Sequence, residues 1–292
     1  MCMLFLELCD DPRPDGFRLV LASNRDEYYR RPTDHAHCWE ERSSVIGGRD
    51  REPGREGGTW LAVDTAGSGR LAMLLNVMGA PSLPDSRPRG SLVADFVRGD
   101  ERAQDYVHRV AGGGLEYSAF HLVAIDLKPS GGLWHYSNCS PEDGVASPVT
   151  HLRSGRLALG NSLVQQPFNK VTAGERRFHG ILEQCGRRGQ RDRLVQELVA
   201  LLKWDHEHFP DERLEARAAK GNFRKEQLPK FSAIFQRHPN YGTRTHTIVL
   251  VDADWRCDFY EWTLGEDRES PVDPDTSRWN LVHQTFQLQP RP

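Results

Sequence analysis

The sequence predicts an α+β layered fold, and three observations carry that expectation. Apolar runs without polar alternation recur along the chain, as at residues 2–8 and 19–22, the mark of strands covered on both faces. Turn chemistry separates neighbouring runs, so consecutive strands read as hairpins. Amphipathic helical patterns then stand among the strands in the same chain.

The first hairpin joins residues 2–8 to 19–22 through Asp10-Asp11-Pro12-Arg13-Pro14-Asp15-Gly16, where two prolines fix φ and a glycine admits a left-handed turn. Pairing Leu8 with Phe17 puts Cys2 across from Ser23 and brings Asn24-Arg25-Asp26 out beside the N-terminus. Strands are then expected at 60–63 and 71–77, with glycines between them as a second hairpin, and at 120–127, 133–137 and 157–159. Others follow at 231–235, 247–252, 257–262 and 279–288. Helices are expected at 91–97, capped by Ser91, and at 104–111, 173–184 and 191–203. A basic loop at 186–193 and a charged link at 205–220 lack the length and blandness of interdomain linkers, so one domain over 1–292 is expected.

Composition narrows the function classes. Hydrophobic residues make up 38% and charged residues 27%, enough for a core under a very polar surface. With a net charge of −3 and a pI near 6.5, no overall field recruits nucleic acid or anionic membrane. No apolar run approaches the ~20 residues that span a bilayer. A signal peptide is not expected, because Glu7 interrupts a short apolar run that lacks a basic leader. A soluble intracellular protein with free thiols follows: Cys2, Cys9, Cys38, Cys139, Cys185 and Cys257 show no paired spacing.

Chemistry gathers at Cys2. Removal of Met1 would leave one residue with a thiol nucleophile and an α-amine of pKa about 7.7–8.0, near that of a usable base. Arg25 beside the thiol favours the thiolate, Asp26 orients the cation or the amine, and the amides of Asn76 and Asn161 suit a developing oxyanion. These are the parts of an N-terminal-nucleophile amide hydrolase. Against this stands the bland reading of Cys2 as an inert core thiol.

A longer pattern runs through the chain. Met1-Cys2, Asn24-Arg25-Asp26-Glu27, Arg31-Pro32-Thr33, Trp39, Gly47-Gly48-Arg49-Asp50 and Gly57-Gly58-Thr59-Trp60-Leu61 are followed by Leu75-Asn76, Arg89-Gly90, Asn161-Ser162 and Tyr241-Gly242-Thr243-Arg244-Thr245. In this order and spacing the chain resembles the NRDE family, whose eukaryotic members include the transport and Golgi organisation 2 proteins. Departures are Pro167-Phe168 in place of a Pro-Trp pair, and Trp255 where a turn glycine is common.

The resemblance implies an N-terminal-nucleophile-hydrolase-like αββα four-layer sandwich of mostly antiparallel sheets, similar to penicillin acylases and bile-salt hydrolases. It also implies roles in Golgi organisation and secretion, haem mobilisation from mitochondria and other stores, and acyl-CoA binding in lipid homeostasis. Cytoplasmic location with mitochondrial and Golgi association follows from the same likeness. No cofactor is obligatory; haem or acyl-CoA is cargo. The favoured reading is a carrier whose ligand contacts are Asn24, Arg25, Asp26, Glu27, Trp60, Asn76, Asn161 and Arg244. The alternative is a thiol amidase or acyl-transferase using Cys2 with Arg25, Asp26, Asn76, Asn161 and Arg244.

Other clusters take plainer readings. His35, His37 and Cys38, like His206 and His208, tempt a metal or haem-ligand assignment but lack further ligands and read as surface loops. The glycine-rich stretch from Gly47 to Thr59 lacks the Lys-Ser/Thr of a phosphate loop and reads as a flap or turn at a pocket rim. Trp134, Trp204, Trp255 and Trp279 read as packing residues.

Overall fold

The computed structural model describes residues 1–67, 69–80, 86–113, 117–128, 131–140, 147–221, 223–265 and 279–289. The chain begins with β1 (Met3–Leu8), β2 (Phe17–Tyr28), β3 (Thr33–Trp39), β4 (Arg42–Asp50), β5 (Leu61–Asp64) and β6 (Arg70–Asn76). Helices α1 (Gly90–Arg98) and α2 (Ala103–Gly112) precede β7 (Phe120–Asp126), β8 (Gly132–Ser137), β9 (Thr150–Leu152) and β10 (Gly155–Leu159). Then come α3 (Asn169–Cys185), α4 (Arg191–Leu202), α5 (Glu212–Ala219) and α6 (Leu228–Phe231), and last β11 (Tyr241–Asp252), β12 (Arg256–Leu264) and β13 (Trp279–Gln287). The strands form two antiparallel sheets, ordered β10-β1-β2-β11-β12-β13 and β3-β4-β5-β6-β7-β8-β9.

Alternation along the strands sets the layers. On β1 and β2, Leu4, Leu6, Leu19 and Leu21 point between the sheets, where they meet Leu61, Met73, Val123 and Ile125 of the second sheet. Met3, Phe5, Val20 and Ala22 point the other way, onto Phe178 and Ile181 of α3 and Leu198 and Leu201 of α4. The second sheet mirrors this, turning Ala62, Ala72 and Leu122 onto Phe96 of α1 and Tyr106 and Val107 of α2. Both faces of the central strands are therefore dry, which is why their sequences do not alternate, while the edge strands β9 and β13 are largely exposed.

Several expectations are corrected. Leu8 pairs with Leu19 and Met3 with Asn24, two residues along β2 from the expected register. The hairpin continues one position beyond Leu8, since Cys9 N–H donates to Arg18 O at 2.8 Å. No strand forms at 231–235: residues 228–231 are a short helix, with Pro229 in its first turn presetting helical φ, and 232–235 are turn and bend. Ser91 lies inside α1 and its hydroxyl donates to Pro88 O, so it caps nothing. His35 and His37 lie on β3, and Gly47-Gly48-Arg49-Asp50 on β4, where loops were expected. The charged link contains α5, capped by Asp211, which accepts from the N–H groups of Arg213 and Leu214. Trp255 does occupy a left-handed turn position, with φ 64°.

Candidate functional site

The end of β2 sorts its residues by parity. Arg25 continues the inter-sheet face of Leu19 and Leu21, while Asn24 and Asp26 continue the helix face of Val20 and Ala22. The Cys2 thiol lies against the backbone of Asp26, whose N–H points to Sγ at 3.5 Å. The two-residue register change preserves parity, so the charged cluster still emerges beside the thiol.

Two cavities open at this end of the sandwich. The smaller, of about 250 Å³, is lined by Cys2, Arg25, Asp26, Glu27, Arg31, Asp50, Arg55, Thr59, Trp60, Leu74, Asn76, Pro88, Arg89 and Gly90. The larger, of about 640 Å³, is lined by Met1, Tyr28, Met78, Phe223, Phe231 and Tyr241 together with Asn161, His238 and other neutral groups. Asn76 and Arg89 belong to both walls.

Charge in the smaller cavity is unevenly matched. Arg31 grips Asp50 with both arms of its fork, at 3.1 and 2.5 Å, and reaches Glu27 at 3.3 Å. Asp26 holds the Met1 ammonium at 2.9 Å, and Tyr241 accepts from the same ammonium while donating to Asp26 O. Arg25 is 7% exposed, stacks 4.2 Å over Trp60, and has no acid within ion-pair distance among the described residues; its buried Nη1 is unpartnered. Burial pulls its pKa down, and burial beside Arg55 pulls Arg89 down to about 10. Four arginines thus face three carboxylates, with Gly90 at the start of α1 also in the wall.

The thiol is not primed as it stands. Burial raises the Cys2 pKa, outweighing the nearby ammonium and Arg25. Burial likewise lowers the Met1 ammonium, with Asp26 opposing. Behind Asp26, the wholly buried Lys170 donates to Ala233 O at 3.1 Å, and burial brings it down to about 8.

Not every expected site residue reaches the cavities. Cys2, Arg25, Asp26, Glu27, Trp60 and Asn76 line the smaller one, and Asn76 and Asn161 the larger. Asn24 is directed into the helix layer, where its amide donates to Leu202 O and Ile234 O and its oxygen meets His246 at 2.6 Å. Arg244 donates to Tyr28 O and Arg31 O, pinning the β2–β3 turn from outside both linings. Asn161 spends its amide N–H on Asn76 O at 2.6 Å. A buried histidine relay anchors the neighbouring residue: Ser162 O can only accept, so His121 Nε2 carries a proton to it at 2.8 Å and Nδ1 accepts from His135 at 3.3 Å. Burial holds these rings down to about 4 and about 3, so both are neutral.

Sequence reasoning passed over Arg31, Asp50, Arg55, Arg89, Lys170 and His238. Arg31, Asp50 and Arg89 stood within the quoted motifs, and that was their available signal. Nothing local marks Lys170 or His238.

The chain matches a family model described as Transport and Golgi organisation 2 over residues 1–266. The chain belongs to the Transport and Golgi organisation 2 family. It is 37% identical to a Transport and Golgi organization protein 2 homolog of Bos taurus over 294 residues, covering 99% of this chain and 100% of that protein. Transport and Golgi organization protein 2 of Drosophila melanogaster is 36% identical over 288 residues, 97% of each chain. Family membership thus spans both cavities and the β2 cluster at their junction.

Proposed function

We propose that the protein is a carrier or chaperone for an anionic amphipathic cargo, haem or an acyl-CoA, with Golgi organisation and secretion as linked consequences. One observation carries this reading. An arginine-rich cavity adjoins a larger one lined in part by Met1, Met78, Phe223 and Phe231, and the two share Asn76 and Arg89. An acidic head beside Arg25 and Arg89, with its body in the larger cavity, suits that pairing of surfaces. The layer order of helix, sheet, sheet and helix supports an N-terminal-nucleophile-like fold whose site has turned to holding a ligand.

The second reading, an N-terminal cysteine amidase or acyl-transferase, draws on the Cys2 thiol lining the same cavity as Arg25. The amide of Asn161 committed to Asn76 O weighs for the carrier. Calorimetric titration with haem and with palmitoyl-CoA, in the parent, Cys2→Ala and Arg25→Ala proteins, separates the readings. Cys2→Ala is expected to bind as the parent does and Arg25→Ala to lose most affinity. Covalent acylation of Cys2 seen by intact mass, with turnover abolished in Cys2→Ala, would replace the carrier by the enzyme.

A further inference from the structure

The larger cavity is lined by two residues whose buried polar atoms have no partner among the described residues. Asn161 is 3% exposed and its Oδ1 has no partner among the described residues. The assignment of oxygen and nitrogen in that amide is settled by chemistry: Asn76 O can only accept, so the atom 2.6 Å from it is Nδ2 and the free atom is the carbonyl oxygen. His238 is 5% exposed, stacked 4.1 Å against Phe231, and its Nε2 is likewise unpartnered. Burial pushes His238 down to about 4, so the ring is neutral and offers a donor as well as an acceptor. Buried polar groups are rarely left without partners, because each costs its full desolvation.

The partner that would serve both atoms is constrained. It must carry a donor for Asn161 Oδ1, which excludes a bare alkyl chain and a carboxylate. Among the described residues the charged groups of this lining are Arg89, on the wall shared with the smaller cavity, and the Met1 ammonium, already held by Asp26 at 2.9 Å, so the group beside Asn161 and His238 is best neutral. A secondary amide has one N–H and one carbonyl, matching the Asn161 acceptor and the His238 donor. We infer that the larger cavity recognises an amide within the body of the cargo, so that the protein selects amide-bearing amphiphiles over simple fatty acids. This rests on the carrier reading above, which supplies the acidic head at Arg25.

The test compares dodecanoate with N-acyl-glycine, N-acyl-β-alanine and N-acyl-γ-aminobutyrate of the same overall chain length, which step the amide along the chain. Binding is followed by calorimetry in the full-length protein. One amide position is expected to bind about tenfold or more tighter than dodecanoate, the gain that one or two buried hydrogen bonds supply. His238→Phe keeps the ring against Phe231 and is expected to abolish that preference, so that dodecanoate and the best amide bind the variant equally. Equal affinities for dodecanoate and all three amides in the parent protein would overturn the inference and leave the carrier reading standing, a result that needs no variant to fold. Full preference retained in His238→Phe would overturn the assignment to this cavity. Failure of all four ligands in a protein that binds palmitoyl-CoA would overturn the inference alone, and failure of palmitoyl-CoA and haem as well would overturn the carrier reading.

Discussion

Lys170 places a cation where water cannot reach it. Its side chain is wholly buried at the start of α3, with Ala233 O as hydrogen-bond acceptor at 3.1 Å. Burial lowers its pKa from 10.5 to about 8, with Asp26 opposing the fall. A shift of that size corresponds to about 3 kcal/mol of unfavourable charge burial, at about 1.36 kcal/mol per unit. Between pH 8 and 10.5 the unfolded chain binds more protons at this residue than the folded one, so folding stability gains with rising pH across that window. Lys170→Met removes the charge at similar volume, and Ala233 O keeps a contact from Gln236 Nε2 at 3.4 Å. The variant is expected to be the more stable protein below pH 8, with the gap closing by about 3 kcal/mol as pH rises to 10.5. Urea unfolding of parent and variant across this range measures the difference, in which tyrosine and other lysine titrations cancel. A difference that stays flat would show that Lys170 is hydrated or paired in the folded state, and the reasoning would fall.

Other sites give further expectations. Glu261, 1% exposed between the sheets, is raised by burial from 4.5 to about 7, so its folded form binds more protons and stability falls as pH climbs through that interval. Glu261→Gln keeps an acceptor for Ala36 N–H and should remove a fall of about 3 kcal/mol, seen as a converging pair of denaturation midpoints. Arg25→Lys keeps the charge but loses the planar stack over Trp60, so haem and palmitoyl-CoA should bind roughly tenfold more weakly with little change in melting temperature. Unaltered affinity there would move the acidic head away from Arg25. Gly242→Ala drives a Cβ to 2.5 Å from Gln236 O and 2.1 Å from the Tyr29 hydroxyl; a loss of more than about 2 kcal/mol is expected in chemical denaturation, and a silent substitution would contradict this packing.

The sequence by itself determined the elements whose cause is local. Residues 3–8 and the middle of β2 read as strands because a strand dry on both faces cannot alternate. Helices α3 and α4 read from their apolar spacing, and the cluster beside Cys2 from the hairpin. That last reading survived a register error of two residues because side-chain direction has period two. Tertiary structure decided what local composition disguises. Gly47 and Gly48 look like loop, yet they lie within β4, where a Cβ on Gly48 would come 2.4 Å from the Trp60 ring and one on Gly47 2.7 Å from Leu61 O. The same holds for the site. Strand parity sent Asn24 to the helices and Arg25 to the cavity, and Arg244 went to the carbonyls of the β2–β3 turn. Arg31, Asp50 and Arg89 converge although they come from three separate segments, and Asn161 and His238 line one cavity although they lie far apart in sequence. Periodicity records which face a side chain takes within its own element. Which faces then meet depends on how two sheets stack and on loops that close over their ends, contacts between residues far apart in sequence that no local pattern encodes.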